Sequence, residues 1–119
     1  MTMNNGVLGR CHFGGERAHT TDHPPVIFHG TRKAGTGAFA VGLVLALDDA
    51  GELLPWTGGA PAGVCDEPCP EDSAACPYLA HGPAKARLLT KAGGAPPDEA
   101  DRAALRAAGI CPPQPQDEY

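Results

Sequence analysis

Three cysteines and a histidine lie close together in the middle of the chain, and they are residue types that bind zinc. Cys65, Cys69, Cys76 and His81 provide three thiols and one imidazole within 17 residues, which is enough for a closed tetrahedral site. However, the first two cysteines have a spacing of three rather than two, and four acidic residues crowd the segment. A disulfide is a second possibility, although the total of five cysteines is odd and no export signal accompanies them. We therefore expect free thiols in a loop.

The other candidates for chemistry lie nearer the N-terminus. Cys11 precedes His12, but neighbours in a glycine-rich segment rarely hold the geometry of a nucleophile and its base. Residues 30–37 lack the Gly-Lys-Ser/Thr sequence of a phosphate-binding loop, so they predict a turn. We expect no catalytic residue, no metal site and no cofactor. Scattered histidines in a polar segment are usually solvated, and here they are His19, His23 and His29.

Charge is segregated along the 119 residues. Residues 1–40 have a net charge of +2, whereas residues 41–83 contain seven acidic residues and no Lys or Arg. No basic stripe with interleaved aromatic residues occurs, so nucleic-acid binding has no electrostatic basis. The longest apolar run, residues 38–47, is too short to cross a bilayer, and residues 1–15 lack the pattern of a secretion signal. We expect neither nucleic acid nor membrane as a partner.

Turn-forming residues divide the chain into an arm, a body and a tail. Residues 1–25 predict a flexible N-terminal arm, because glycines are frequent and apolar residues are isolated. Residues 26–111 predict a β-rich domain, and the proline-rich residues 112–119 predict an extended tail. The body begins with Val-Ile-Phe at residues 26–28, a β-branched and aromatic run that predicts a short strand at a sheet edge.

Residues 39–56 predict a β-hairpin. Two apolar runs flank Asp-Asp-Ala-Gly at residues 48–51, which is the composition of a hairpin turn. Pro55 restricts the return strand to an edge or a strand end, because proline has no N–H for a central ladder.

The rest of the body is less regular. Residues 57–76 predict a long loop with one strand fragment at residues 62–64. A second strand pair is predicted at residues 78–81 and 84–91, joined at Gly82-Pro83, because residues 84–91 alternate with a period of two.

One helix is predicted at residues 98–108. Asp98 is placed to cap its N-terminus, Gly109 ends it, and Ile110 can fold back on Leu105. The chain contains 16 Gly and 13 Pro and few aromatic residues, so its hydrophobic core is small and gains from association. The fold class is mainly β, a small barrel-like domain with short helices.

Read in order, these segments resemble the lambda-type head decoration proteins of tailed bacteriophages. The resemblance covers about residues 24–110 and depends on the order and spacing of short motifs. They are Gly-Leu-Val-Leu-Ala-Leu at 42–47, Gly-Glu-Leu-Leu-Pro-Trp at 51–56, a variable loop at 57–76, Gly-Pro-Ala at the start of 82–89, and a capped helix that ends in Ala-Ala-Gly-Ile at 98–110.

This resemblance implies a non-enzymatic homotrimer on the outside of an expanded phage head, assembled in the cytoplasm of the host bacterium. There it would cement neighbouring subunits of the major capsid protein. Strand addition by an extended segment is the expected mode of attachment, at Pro24, Pro25, Val26, Ile27, Phe28 and His29. A small zinc-binding adaptor module and another virion structural component are the alternatives.

Overall fold

The structure, a computed structural model, describes residues 17–19 and 25–111. The strands within them are β1 (Val26–Thr31), β2 (Val44–Leu47), β3 (Leu53–Pro55), β4 (Gly63–Cys65), β5 (Ala75–Pro83) and β6 (Ile110–Cys111). The helical segments are α1 (Glu99–Ala107) and two short 3₁₀ turns, Ala86–Leu88 and Ala92–Gly94. The prediction of a mainly β fold with short helices is therefore confirmed.

The predicted hairpin is formed by β2 and β3, with Leu47 opposite Leu53. Asp48 organises its turn. The Asp48 N–H donates to the Glu52 carbonyl at 2.9 Å, and its Oδ1 atom accepts from the N–H groups of Ala50 and Glu52 at 2.9 Å each. An aspartate at the start of the turn thus satisfies backbone donors that the ladder leaves unpaired.

The strands form one sheet in the order β1-β5-β4-β2-β3, and all neighbours in this order are antiparallel. β6 adds in parallel to the end of β5, where Gly82 pairs with Ile110. The outer strands β1 and β3 approach each other beyond the end of β1. There Arg32 forms a single bridge with Leu53, and the Lys33 N–H donates to the Leu53 carbonyl at 2.8 Å. Both strands that the sequence predicts for an edge are outer strands.

Each face of the sheet is buried against its own hydrophobic cluster. Successive side chains of a strand point to opposite faces, and the pairs Val44 with Leu45 and Val64 with Cys65 divide in this way. The helix-side cluster consists of Ala18, Val44, Trp56, Val64, Leu79, Ala84, Leu89, Leu105 and Ile110. The thiol-side cluster consists of Phe39, Leu45, Leu53, Cys65, Cys69, Cys76 and Tyr78.

The predicted helix is confirmed together with its signals. Asp98 and Asp101 form a reciprocal capping box, in which each side chain accepts from the other's backbone N–H at 2.9 and 3.0 Å. Gly109 follows the helix with a φ of 92°, a conformation that favours glycine. Leu105 and Ile110 are both fully buried in the helix-side cluster.

The predicted second strand pair is wrong. β5 continues through Gly82 to Pro83 instead of turning back. Gly82 has a φ of 126°, and its N–H donates to the carbonyl of Gly109 at 2.9 Å. Parallel pairing with β6 therefore replaces the hairpin at this point.

Residues 84–91 do not form a strand, although their sequence alternates. Ala86–Leu88 is a 3₁₀ turn, and the two buried apolar side chains, Ala84 and Leu89, are five residues apart. The segment is held by isolated bridges of Ala84 to His19 and of Thr90 to Leu43. It crosses the helix-side cluster without joining the ladder of the sheet.

Gly42 lies where three segments of the body meet. Its N–H donates to the Cys65 carbonyl at 2.9 Å, and its carbonyl accepts from the Thr90 N–H at 3.0 Å. Its φ is 92°, and a Cβ atom here would overlap the carbonyl oxygen of Leu88. Close approach of two backbones and a positive φ both require glycine at this position.

The loop predicted at residues 57–76 is confirmed over most of its length. Its strand fragment is β4, Gly63–Cys65, and β5 begins at Ala75, so the last two residues of the predicted loop are strand. Of the predicted arm, the structure describes Pro25 and residues 17–19, and the predicted tail lies outside the described residues. No helix in the described part of the chain is both long and apolar enough to span a membrane.

Candidate functional site

The outer strand β1 carries exposed apolar side chains. Val26 is 42% exposed and Phe28 is 53% exposed. On its inner edge β1 pairs with β5, where the rings of Phe28 and Tyr78 lie 6.1 Å apart in an edge-to-face arrangement. β5 is the only ladder partner of β1 among the described strands. A sheet edge with exposed apolar side chains can pair with a strand of another chain.

Five of the six predicted contact residues lie in the described part of the chain. Pro25 is half-buried at the entry to β1, and His29 is exposed on it. Ile27 points the other way and packs on the helix-side cluster. Val26, Phe28 and His29 are thus exposed on this strand, while Ile27 anchors it. Pro24 lies outside the described residues.

The three cysteines of the central segment meet inside the thiol-side cluster. Cys65, Cys69 and Cys76 are free thiols and are buried, and the Sγ atoms of Cys65 and Cys76 are 3.9 Å apart. The Cys65 thiol also donates to the Glu67 carbonyl at 2.9 Å, and the Cys69 thiol donates to the Ala75 carbonyl at 3.3 Å. Free thiols are as the sequence predicts, but they lie in the core rather than in an open loop.

The surroundings of Cys69 and Cys76 raise their pKa values and so favour the protonated thiols. Burial is the main cause that raises the pKa of the Cys69 thiol, and the neighbouring Cys76 raises it further. The pKa of the Cys76 thiol is raised far above its ordinary value. The main cause is hydrogen bonding with Cys65, and burial is the second. Thiols in such surroundings react slowly, because the thiolate is the reactive species.

His81 does not join the three thiols. It is exposed on β5 opposite Val26, and its ring lies against Gly109. Within residues 17–19 and 25–111, no group of three or more His, Cys, Asp or Glu side chains is arranged to hold a metal ion. The ligand set on which the zinc-binding alternative depends is therefore not assembled.

A buried carboxylate that the sequence analysis did not single out lies beside the thiols in sequence. Asp66 follows β4 and is fully buried. Its Oδ1 atom accepts from the backbone N–H groups of Ala18 and His19 at 3.2 Å each and lies 2.8 Å from His19 Nδ1. Arg17 Nη1 lies 3.6 Å from its Oδ2 atom. The sequence near Asp66 offered no signal of this burial, because both Val64 and Cys65 before it are buried and its partners lie 47 and 48 residues away.

The remaining sequence candidates are dispersed. His19 lies at Asp66 and His29 on β1, whereas Cys11, His12 and His23 lie outside the described residues. The glycine-containing turn after β1 borders an open surface cavity of about 440 Å³, lined by Arg32, Ala34, Gly35, Thr36, Gly37 and Glu71. No protein-family model matches the chain, and no curated protein shows a significant match to it.

Proposed function

We propose that this protein is a capsid decoration protein, which binds as a homotrimer to the outside of an expanded head of a tailed bacteriophage or prophage. It would stabilise the head by bridging subunits of the major capsid protein. The mechanism is binding rather than chemistry, and it needs neither a cofactor nor a metal ion.

The observation that carries the proposal is the outer strand β1. It combines an edge free of any described ladder partner with two exposed apolar side chains, Val26 and Phe28. An extended segment added to such an edge gains backbone hydrogen bonds, and the protruding side chains add apolar contact. This is also the segment in which the sequence predicts the capsid contact.

The order of elements supports the same proposal. The hairpin β2–β3, the following loop, β5 and the capped helix α1 occur in the sequence order on which the resemblance to decoration proteins depends. The bridge between Arg32, just after β1, and Leu53 of β3 brings the two outer strands together at one point, which is compatible with the barrel-like fold that the resemblance implies.

Two arguments support the proposal of a trimer, the small core and the repetitive surface of a phage head. Only 16 apolar residues of the described part are buried, so burial of Val26 and Phe28 between subunits or against the head would add to a small core. Three copies of one weak contact also raise the apparent affinity for a repetitive surface, because the second and third contacts form within the same complex.

Sedimentation and head binding test the proposal. We expect the purified protein to sediment as a trimer and to bind expanded heads, assembled from the major capsid protein of the phage or prophage that carries its gene, but not unexpanded heads. A stable monomer that binds neither form would overturn the proposal.

Deletion of β1 would remove a paired strand from the sheet. Point substitutions are therefore the better way to locate the contact. We expect Phe28→Lys to reduce head binding at least about tenfold, since it places a charge where an apolar contact is buried. Leu47→Lys is the matched control, because Leu47 is an apolar residue of β2 with a similar exposure of 51%. Equal binding by the two folded variants would exclude β1 as the contact.

A further inference from the structure

Residues 17–19 are attached to the body on two sides, and the carboxylate of Asp66 makes most of the polar contacts on one of them. Asp66 Oδ1 receives three polar contacts, from the Ala18 N–H, the His19 N–H and the His19 imidazole. On the opposite side of the segment, the Lys85 N–H donates to the Ala18 carbonyl at 2.6 Å, and His19 bridges to Ala84. The segment is thus clamped between the loop after β4 and the chain after β5.

We propose that Arg17, Ala18 and His19 form a latch, closed by Asp66, that holds this segment on the body and that opens without unfolding the sheet. This latch is independent of the proposed function, since it concerns the chain's own N-terminal segment.

The charge of Asp66 makes the latch specific. Its second oxygen, Oδ2, is buried and has no hydrogen-bond partner among the described residues, and its nearest cation is Arg17 at 3.6 Å. A buried carboxylate is stable only when it is well paired. With the latch closed, Oδ1 meets this requirement through Ala18 and His19. With the latch open, water would have to replace all of these contacts.

The apolar contribution to the latch is small, which makes it releasable. Ala18 places one methyl group in the helix-side cluster, whereas the side chains of Arg17 and His19 are 49% and 20% exposed. The sheet, in contrast, buries large side chains such as Leu79 and Val64. Segments with few buried apolar contacts open at lower free energy than the whole domain unfolds.

Amide hydrogen exchange on the full-length protein tests the latch. We expect Asp66→Asn to accelerate exchange at Ala18 and His19 about tenfold or more, because it removes the charged acceptor, while amides of β2 and β5 keep their rates. Glu67→Gln is the matched control. Glu67 also contacts Arg17, at 3.3 Å, but is 44% exposed, so its variant should change exchange less than about twofold.

Two outcomes would overturn the proposal. One is unchanged exchange at Ala18 and His19 in Asp66→Asn, and the other is equal acceleration throughout the sheet, which would make the segment part of the cooperative core. If the variant does not fold, the unmodified protein provides the test through exchange in low urea. A latch opens with little dependence on urea, whereas amides that exchange only with the sheet show that no separate latch exists.

Discussion

The helix-side and thiol-side clusters share one sheet but are built from different side chains. The helix-side cluster is aliphatic apart from Trp56 and is covered by α1, by the chain after β5 and by Ala18. The thiol-side cluster contains three thiols and two aromatic rings and includes Cys69, from the loop after β4. A helix with a capping box and a loop without regular structure thus cover the two faces of the same strands. A sheet face is buried when side chains fill the space above it, whether a helix or a loop supplies them.

The largest expected effect is the loss of Trp56. This residue is 1% exposed in the helix-side cluster, and its indole N–H donates to the Gly59 carbonyl at 3.2 Å. We expect Trp56→Ala to lower the free energy of unfolding by about 4 kcal/mol, because it leaves a large cavity. Urea denaturation measures the change, with Leu47→Ala, at an exposed site, as the control. A loss below about 1 kcal/mol would mean that the helix-side cluster collapses around the cavity.

A second test concerns Gly42, where the backbone of β4, the strand shared by both clusters, meets the chain after β5. We expect Gly42→Ala to lower the free energy of unfolding by about 2–3 kcal/mol, because it combines a positive φ with a backbone overlap. Gly35 is the matched control, since its φ is 85° but no atom lies within 4 Å of an added Cβ. Gly35→Ala should lower the free energy of unfolding by about 1 kcal/mol. Equal losses of unfolding free energy in the two variants would show that the positive φ at Gly42 matters and the backbone overlap does not.

A third test asks whether the thiols act as apolar side chains. Cys76 is fully buried, and its nearest acceptor, the Pro77 carbonyl, is 3.8 Å from Sγ. We expect Cys76→Ser to be less stable than Cys76→Ala by about 1 kcal/mol, because the shorter hydroxyl is buried without a good partner. Thermal unfolding of the two variants measures the difference. A serine variant as stable as the alanine variant would indicate that the thiol-side cluster admits water.

The smallest effects belong to one ion pair near each cluster. Lys91 Nζ lies 2.7 Å from Asp101 Oδ2 beside the helix-side cluster, and Lys33 Nζ lies 2.7 Å from Asp48 Oδ2 at the hairpin turn. The lysine hydrogen bond is the main cause that lowers the pKa of each aspartate below 3.8.

A lowered pKa stabilises the folded state above the ordinary aspartate pKa, and this contribution is lost as the pH falls through the folded value. We therefore expect a modest loss of stability below about pH 4. Asp101→Asn should remove the share of this pH-dependent loss that arises from the Lys91–Asp101 pair at α1. Thermal unfolding between pH 7 and 3 measures the change in stability. Because both pairs lie at the surface, 0.5 M salt should reduce the effect, and an effect insensitive to salt would contradict the assignment.

The elements that sequence reasoning predicts correctly are those with local signals. Asp48 satisfies donors two and four residues away, and Asp98 satisfies a donor three residues away. Such contacts join residues only two to four positions apart, so a short stretch of sequence is enough to predict them. The edge position of β1 can be predicted for a similar reason. Pro25 immediately precedes its β-branched run, and proline is found at the ends and edges of sheets.

The errors arise where distant segments decide the structure. Gly82-Pro83 has the composition of a turn, but Ile110 and Cys111 pair with it from 28 residues further along the chain. Asp66 has the surroundings of a solvated acid, because acidic residues and prolines follow it. Its burial depends on Ala18 and His19, which are 48 and 47 residues away. No local propensity carries that information.

The pairing of β1 with β5 has a consequence for the synthesis of the chain. Val26 pairs with His81 and Thr31 pairs with Ala75, so β1, the first of the described strands to be made, has no described ladder partner until more than forty further residues have followed it. Contacts over such a separation are slow to form, because the intervening loop must close before they add stability. The hairpin β2–β3 closes over a short turn and can form first. Among the described strands, the Val-Ile-Phe run of β1 therefore waits longest for its partner during synthesis, and it is exposed to aggregation for that time.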